Sequence, residues 1–357
     1  MRFVVLLICS VSIFFSCKSE NPNSNETTGF LNHNFLDGLW VANEGNFTFG
    51  NASLSHVKLD SNVINDAFQK VNGLPVGDVL QSVNVIGDYL FLVVNNSGKI
   101  HVCDKTTLKL VKTITGFVSP RYIAKYNQDF ALVSDLYSEN ITVVNLNTLE
   151  KDGEIHGSQS SEKLLVDGDL IFTNTWVGSN TLRKIKWTPD GPKEIWYSYF
   201  PTSPIDIAYV QDKIWVACQA EEGTGGSLAI IEPKQNRWMT IDTIIQFSNP
   251  EASPNHLTFL PSKNKLAFIS SSNPTDISND GGVFTIDPVS LEISEIPIVP
   301  KGQRLFYSME WSEERGLLYL TDAKDYLSPG ELLVYNFDFQ LEQTVSVGII
   351  PGQIFTQ

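Results

Sequence analysis

The chain has 357 residues, with 25 basic against 40 acidic side chains and a formal charge of −15 at pH 7. A field of that sign repels nucleic acid and anionic membrane surfaces, which excludes both as electrostatic partners. Twenty-one Phe, eleven Tyr and seven Trp supply a large core, and the five histidines, none paired at short spacing, form no metal pattern.

Met1 and Arg2 precede an apolar run, Phe3 to Phe15, that stops at Ser16-Cys17. The run is too short for a spanning helix and has the basic start and apolar core of a secretory signal. Ile13-Phe14-Phe15-Ser16-Cys17 resembles the lipobox of bacterial lipoproteins, whose cysteine is acylated after cleavage, although Phe15 is bulky where a small residue is usual. The resemblance implies a signal peptide over residues 1–16 and lipidation at Cys17. Lys18 to Gly29 is polar and rich in Asn and Ser, so residues 17–29 read as a flexible tether. Lys18-Ser19-Glu20 resembles the short charged export signals of surface lipoproteins of Bacteroidetes.

From residue 30 to 357 one pattern recurs. In Gln128 to Leu149, Phe130–Ser134 and Ile141–Asn145 are β-rich runs joined by the polar Asp135–Asn140, and Asn147-Thr148 makes the next turn. The same hairpin reads at Tyr89–Leu108, Lys213–Pro233, Lys265–Leu291 and Gly316–Phe339, and more weakly at Asp169–Lys186 and Leu39–Asp60. A hairpin repeated every roughly 40 to 50 residues cannot bury both faces alone, so the copies must pack on one another. Second strand pairs, such as Lys109–Thr113 and Tyr122–Tyr126, lie between the hairpins. The junctions Ser119-Pro120-Arg121, Ser203-Pro204-Ile205 and Ser253-Pro254-Asn255 place proline where it can open an inner strand without breaking a ladder. The expected fold is therefore all-β, a seven-bladed β-propeller of four-stranded antiparallel blades. Gln353–Thr356 is expected to supply the inner strand of the blade beginning at Leu39, closing the ring and leaving no open edge. No linker or charge shift interrupts residues 30–357, which read as one domain. Cys103 and Cys218 sit in hydrophobic runs and read as separate buried thiols, with a single bridge as the alternative.

Leu39–Leu59, LWVANEGNFTFGNASLSHVKL, carries Asn43-Glu44-Gly45-Asn46 and Gly50-Asn51-Ala52. With the closing segment it resembles the seven-bladed surface lipoproteins of Bacteroidetes in the YncE-like propeller group. Relatives in that group capture vitamin B12 and related corrinoids above a TonB-dependent outer-membrane transporter, while others have no settled ligand.

In a propeller, the loops joining second to third strands share a face with the loops leading into inner strands. That arrangement gives the candidate ligand-binding set Arg121, Asp135, Tyr137, Trp176, Gln219, Glu221, Asn255, His256, Arg304, Tyr307, Asp322 and Tyr326. Tyr and Trp among amides and a few charges suit a large, flat, partly polar ligand. Other readings stay open: Arg121 paired with Asp135, Tyr137 and Trp176 packing loops, and Phe47 and Phe49 as platforms, loop packing or a protein contact. Trp40, Trp187, Trp196, Trp215 and Trp311 lie in β-like runs and read as core.

No GxSxG elbow is present, and Gly223–Gly226 lacks the strand-to-helix context of a phosphate cradle. Glu221-Glu222 as a carboxylate pair and His256 as a base are the weaker, catalytic options. The expectation is a non-enzyme without cofactor: a lipid-anchored, surface-exposed outer-membrane receptor that captures a corrinoid or other bulky nutrient and passes it to a TonB-dependent transporter. The alternative is a non-catalytic accessory subunit of an outer-membrane complex that binds protein or glycan.

Overall fold

A computed structural model describes residues 35–356, leaving out 60–61, 157–159, 176, 178, 189–190, 234–238 and 278–279. The expected signal peptide, Cys17, the tether and Trp176 lie outside the described residues. Blade 1 contains β1 (Leu39–Asn43), β2 (Ser53–Lys58) and β3 (Asn62–Ile64), and a short helix α1 (Ala67–Asn72) follows it. Blade 2 contains β4 (Leu80–Ile86), β5 (Tyr89–Val94), β6 (Lys99–Asp104) and β7 (Leu110–Thr115). Blade 3 contains β8 (Pro120–Lys125), β9 (Phe130–Asp135), β10 (Ile141–Asn145) and β11 (Glu150–Ile155). Blade 4 contains β12 (Leu164–Asp167), β13 (Leu170–Thr175), β14 (Thr181–Thr188) and β15 (Gly191–Tyr199). Blade 5 contains β16 (Pro204–Val210), β17 (Lys213–Cys218), β18 (Ser227–Ile231) and β19 (Thr243–Gln246). Blade 6 contains β20 (Pro254–Leu260), β21 (Lys265–Ser272), β22 (Asp280–Ile286) and β23 (Val299–Pro300). Blade 7 contains β24 (Phe306–Ser312), β25 (Leu317–Asp322), β26 (Pro329–Tyr335) and β27 (Leu341–Ile349), and β28 (Pro351–Thr356) returns to blade 1.

Each blade is a four-stranded antiparallel sheet, and β28 is the inner strand of the first one, in the order β28-β1-β2-β3. Thr356 lies opposite Leu39 and Ile354 opposite Val41. The ring is a seven-bladed β-propeller closed by its C-terminal strand, as the repeats predict.

The second strands explain the continuous hydrophobic runs. β5, β9, β13, β17 and β25 each begin half-buried and are buried thereafter, because a blade covers each of their faces. The outer strand β11 carries Glu150-Lys151-Asp152-Gly153-Glu154, all exposed, and buries only Ile155. Among the described residues, the buried apolar side chains fall into seven clusters, one at each interface between neighbouring blades. The cluster between blades 7 and 1 joins Leu332 and Val345 to Val41 and Ile354, so the last strand is part of that core. Trp40, Trp187, Trp215 and Trp311 are buried in these clusters, and Trp196 packs against one. Cys103 and Cys218 are separate buried thiols whose pKa burial pushes up to about 12.

Candidate functional site

Six of the seven inner strands start irregularly. Pro120, Pro204, Pro254 and Pro351 pair with residues at or near the ends of their neighbouring strands, Asp135, Cys218, Ser270 and Asn43. The register then slips in every blade but the fourth. A bulge of this kind re-aims side chains that a regular ladder would place between blades. The residues passed over include Gln81, Arg121, Tyr122, Ile205, His256, Tyr307 and Gly352, and all seven wall one axial cavity of about 260 Å³. In blade 4 the Asn174 side chain accepts from Lys163 N at 3.1 Å, and the Asn174 carbonyl accepts from Glu162 N at 3.0 Å. Glu162 and Lys163 thereby reach the same cavity. A wider cavity of about 390 Å³ adjoins it and shares Glu44, Gln81, Arg121 and Tyr307. Further along the inner strands, a cavity of about 90 Å³ is walled by Tyr122, Lys163, His256 and Glu310, among others.

Two ion pairs span neighbouring blades in this well. Arg121 Nε donates to both Glu162 oxygens at 2.9 Å and its Nη2 lies 2.8 Å from Oε1, a two-pronged geometry. Arg121 Nη1 also donates to Gln81 Oε1. Lys163 Nζ lies 2.5 Å from Asp206 Oδ1, and Asp206 Oδ2 accepts from Leu257 N at 2.7 Å. Burial opposes both cations, yet Glu162 and Asp206 outweigh it and hold Arg121 and Lys163 above their ordinary ranges. Two other carboxyls lack such a partner. Burial pushes Glu44 up to about 7 against the pull of Arg121 and of Tyr307, whose hydroxyl donates to Glu44 Oε2 at 3.4 Å. Burial pushes Glu310 up to about 7 as well, with Lys163 opposing. His256, at φ 48, is lowered to about 4 by burial and by Lys163, so its imidazole is neutral near pH 7.

Around the well stands an apolar rim. Phe47 and Phe49 are 65 % and 76 % exposed, and Val118, Tyr137 and Leu327 are similarly open. The loop carrying the two phenylalanines is nevertheless tied down. Asn46 N donates to Asn51 Oδ1 at 2.7 Å, Thr48 N to Asp78 Oδ2 at 3.0 Å, and Asn46 Nδ2 to the Tyr326 carbonyl at 2.7 Å. Tyr326 in turn packs edge-on against Tyr307, with ring centroids 5.8 Å apart.

The structure brings together Arg121, Gln219, Asn255, His256 and Tyr307 from the sequence-derived set. Tyr137 walls the adjoining cavity, and Tyr326 reaches the well through Tyr307. Asp135, Asp322 and Glu221 instead bond protein groups at the junctions. Asp135 accepts from the N–H groups of Val118, Ser119, Tyr137 and Ser138. Asp322 accepts from Leu305 N and Lys324 N, and Glu221 from Ser203 N and Oγ. Arg304 Nη1 reaches the Tyr335 hydroxyl at 3.3 Å. The partner of Arg121 is Glu162, 41 residues on, and not Asp135, whose oxygens already hold the backbone. Sequence reasoning missed Glu44, Gln81, Tyr122, Glu162, Lys163, Asp206 and Glu310. Aligning the repeats on the junction and reading the next two residues in each copy would have found Glu162, Lys163 and Asp206.

A family described as "Domain of unknown function (DUF5074)" matches residues 37–243, more than half of the chain. The chain belongs to this family. No curated protein matches the chain in sequence. Among solved structures, a quinonprotein alcohol dehydrogenase-like protein from Bacteroides thetaiotaomicron is similar at TM-score 0.66 and 15 % identity, over 91 % of this chain and 79 % of that one. A functionally unknown protein from Desulfotomaculum acetoxidans is similar at TM-score 0.63 and 14 % identity, over 89 % and 98 %. A 6-phosphogluconolactonase candidate from Bacteroides uniformis is similar at TM-score 0.62 and 14 % identity, over 89 % and 99 %. At such identities the likeness is one of fold, and enzyme-like and functionally unknown propellers both share it. The chain is thus a member of this family with a β-propeller fold.

Proposed function

We propose that this family member is a ligand-capturing propeller whose axial mouth receives a bulky molecule with an apolar body and polar arms. The observation that supports this most is the rigidly bonded Phe47–Phe49 loop, which holds two phenylalanines in solvent beside a charged well. Exposed apolar side chains on an ordered loop mark a surface awaiting a partner. Their preorganisation lowers the ordering cost of binding.

A corrinoid, with an apolar ring edge and many amide arms, is the leading ligand under this proposal. The lipid anchor, outer-membrane surface location and hand-over to a TonB-dependent transporter complete it, on the strength of the N-terminal and Leu39–Leu59 resemblances. The proposal is one of binding without turnover. Arg121, Glu162, Lys163 and Asp206 are tied to one another, and the Glu221 carboxylate bonds Ser203. Calorimetric titration with cyanocobalamin and with cobinamide tests it. Sub-micromolar binding of either, weakened at least ~10-fold in Tyr137→Ala or Phe47→Ala, is the expected result. An absence of heat with both would end the corrinoid reading.

A second reading, an accessory subunit that docks protein or glycan on the same face, is favoured by Phe49 and Leu327. Both are highly exposed, and neither walls the two cavities at the mouth. Recovery of the protein in an outer-membrane complex without ligand would support it.

A further inference from the structure

The charges around the axis do not balance. Among the described residues walling the connected cavities, the acids Glu44, Glu162, Asp206 and Glu310 face the bases Arg121 and Lys163. Each base is engaged, Arg121 by Glu162 at 2.8 Å and Lys163 by Asp206 at 2.5 Å. Glu44 and Glu310 are left over. Glu44 stands at the mouth, where among the described residues its carboxylate accepts a hydrogen bond from the Tyr307 hydroxyl alone, and Gly352 makes room for it. A Cβ at position 352 would lie 2.5 Å from Glu44 Oε1.

We propose that the well seats a protonated organic amine: the ligand's ammonium group lies against the Glu44 carboxylate and the Tyr307 ring, while its apolar part rests on Phe47 and Tyr137. The proposal rests on reading the mouth as a binding face. One carboxylate, one hydroxyl and nearby aromatic rings satisfy an ammonium through charge-assisted hydrogen bonds and cation–π attraction. A divalent metal ion asks for several converging oxygens, and among the described residues no group of three or more His, Cys, Asp or Glu converges. An anion would have to displace Glu162 or Asp206 from a formed pair. The net charge of −15 draws cations toward the molecule.

A proton competes for the same seat. Arg121, Glu162, Tyr307 and Tyr326 are the charged and titratable groups acting on Glu44, and His256 shares the cavity. Arg121 stays charged, both tyrosines are held above the ordinary phenol range by burial, and His256 is already neutral at pH 7. Among the groups walling the mouth, Glu44 is therefore the one expected to change charge around neutrality; Glu310, also raised to about 7, walls the smaller cavity further along. The amine needs its carboxylate form, so affinity falls as pH drops below about 7.

Titration of the purified protein with phenethylamine and its neutral analogue phenethyl alcohol tests the seat. At about pH 8 the amine binds at least ~10-fold tighter than the alcohol, and the ratio shrinks at least ~3-fold at about pH 6. Glu44→Gln brings the amine down to about the level of the alcohol. Gly352→Ala, which displaces the same carboxylate, does likewise and covers the case in which Glu44→Gln fails to fold. Equal binding of the two probes, a ratio indifferent to pH, unchanged selectivity in a folded variant, or no amine binding overturns the proposal. Corrinoid binding without amine selectivity would remove the ammonium seat and leave capture standing, whereas amine selectivity without corrinoid binding would keep the seat and end the corrinoid reading.

Discussion

The same strands build two unlike regions, the inter-blade cores and the axial well. Between β5 and β6, or β17 and β18, the ladder is regular, and the side chains of β5 and β17 from the second position onward are buried between blades. At the start of the inner strands the ladder slips by a residue or two, and Arg121, His256 and Tyr307 turn toward the axis. Regular pairing places apolar groups where they lose water, and its interruption places polar groups where they can meet a ligand. Within an inner strand the two are only two residues apart: Arg121 walls the well and Ile123 the core on β8, as do Tyr307 and Met309 on β24.

If that separation is real, damage to the cores should unfold the ring, whereas damage to the well should act chiefly through charge. The largest effect is expected from deleting Pro351–Thr356, which takes Ile354 out of the core between blades 7 and 1 and leaves β1 as an open edge. A fall in Tm of at least ~10 °C by calorimetry is expected, and an unchanged Tm would refute closure by this strand. Next comes Trp215→Ala, at a fully buried position between blades 5 and 6. It should cost about 3–5 kcal/mol in urea unfolding, with ligand affinity unaltered in the folded fraction.

Arg121→Ala should cost somewhat less, about 2–4 kcal/mol, because it takes the two-pronged guanidinium from the nearly buried Glu162 carboxylate. Arg121→Met combined with Glu162→Leu should recover most of that loss, and a double variant as unstable as the single one would show that the pair is not what holds this corner.

The smallest effect is a pH dependence. Glu44 and Glu310 have folded pKa values near 7 against an ordinary 4.5, so the folded state binds more protons and stability falls as pH rises through that window. His256 and His101, lowered to about 4, work in the opposite direction up to their ordinary 6.5. The decline should therefore show mainly between 6.5 and about 7, on the order of 1 kcal/mol, and flatten in a Glu44→Gln, Glu310→Gln variant. A slope that survives both substitutions would assign the titration elsewhere.

The blade count, the four-stranded unit, the ring closure and the burial of Trp40, Trp187, Trp215 and Trp311 were all legible in the chain. They depend on local patterns, namely continuous β-branched runs, turns and junction prolines, that repeat and so confirm one another. The site was legible only in part. The junction prolines pointed to Arg121, Asn255 and His256, but Asp135, Asp322 and Glu221 read the same way from sequence, and they bond the junctions instead of facing the well. Sequence proximity suggested Asp135 as the partner of Arg121, whereas the ring supplies Glu162 from the next blade. Glu44 follows the second strand of blade 1 and meets Tyr307 of blade 7 across the closure. Which acids are paired and which are left over depends on where seven separate strand starts converge around an axis, and that convergence exists only once the ring has closed.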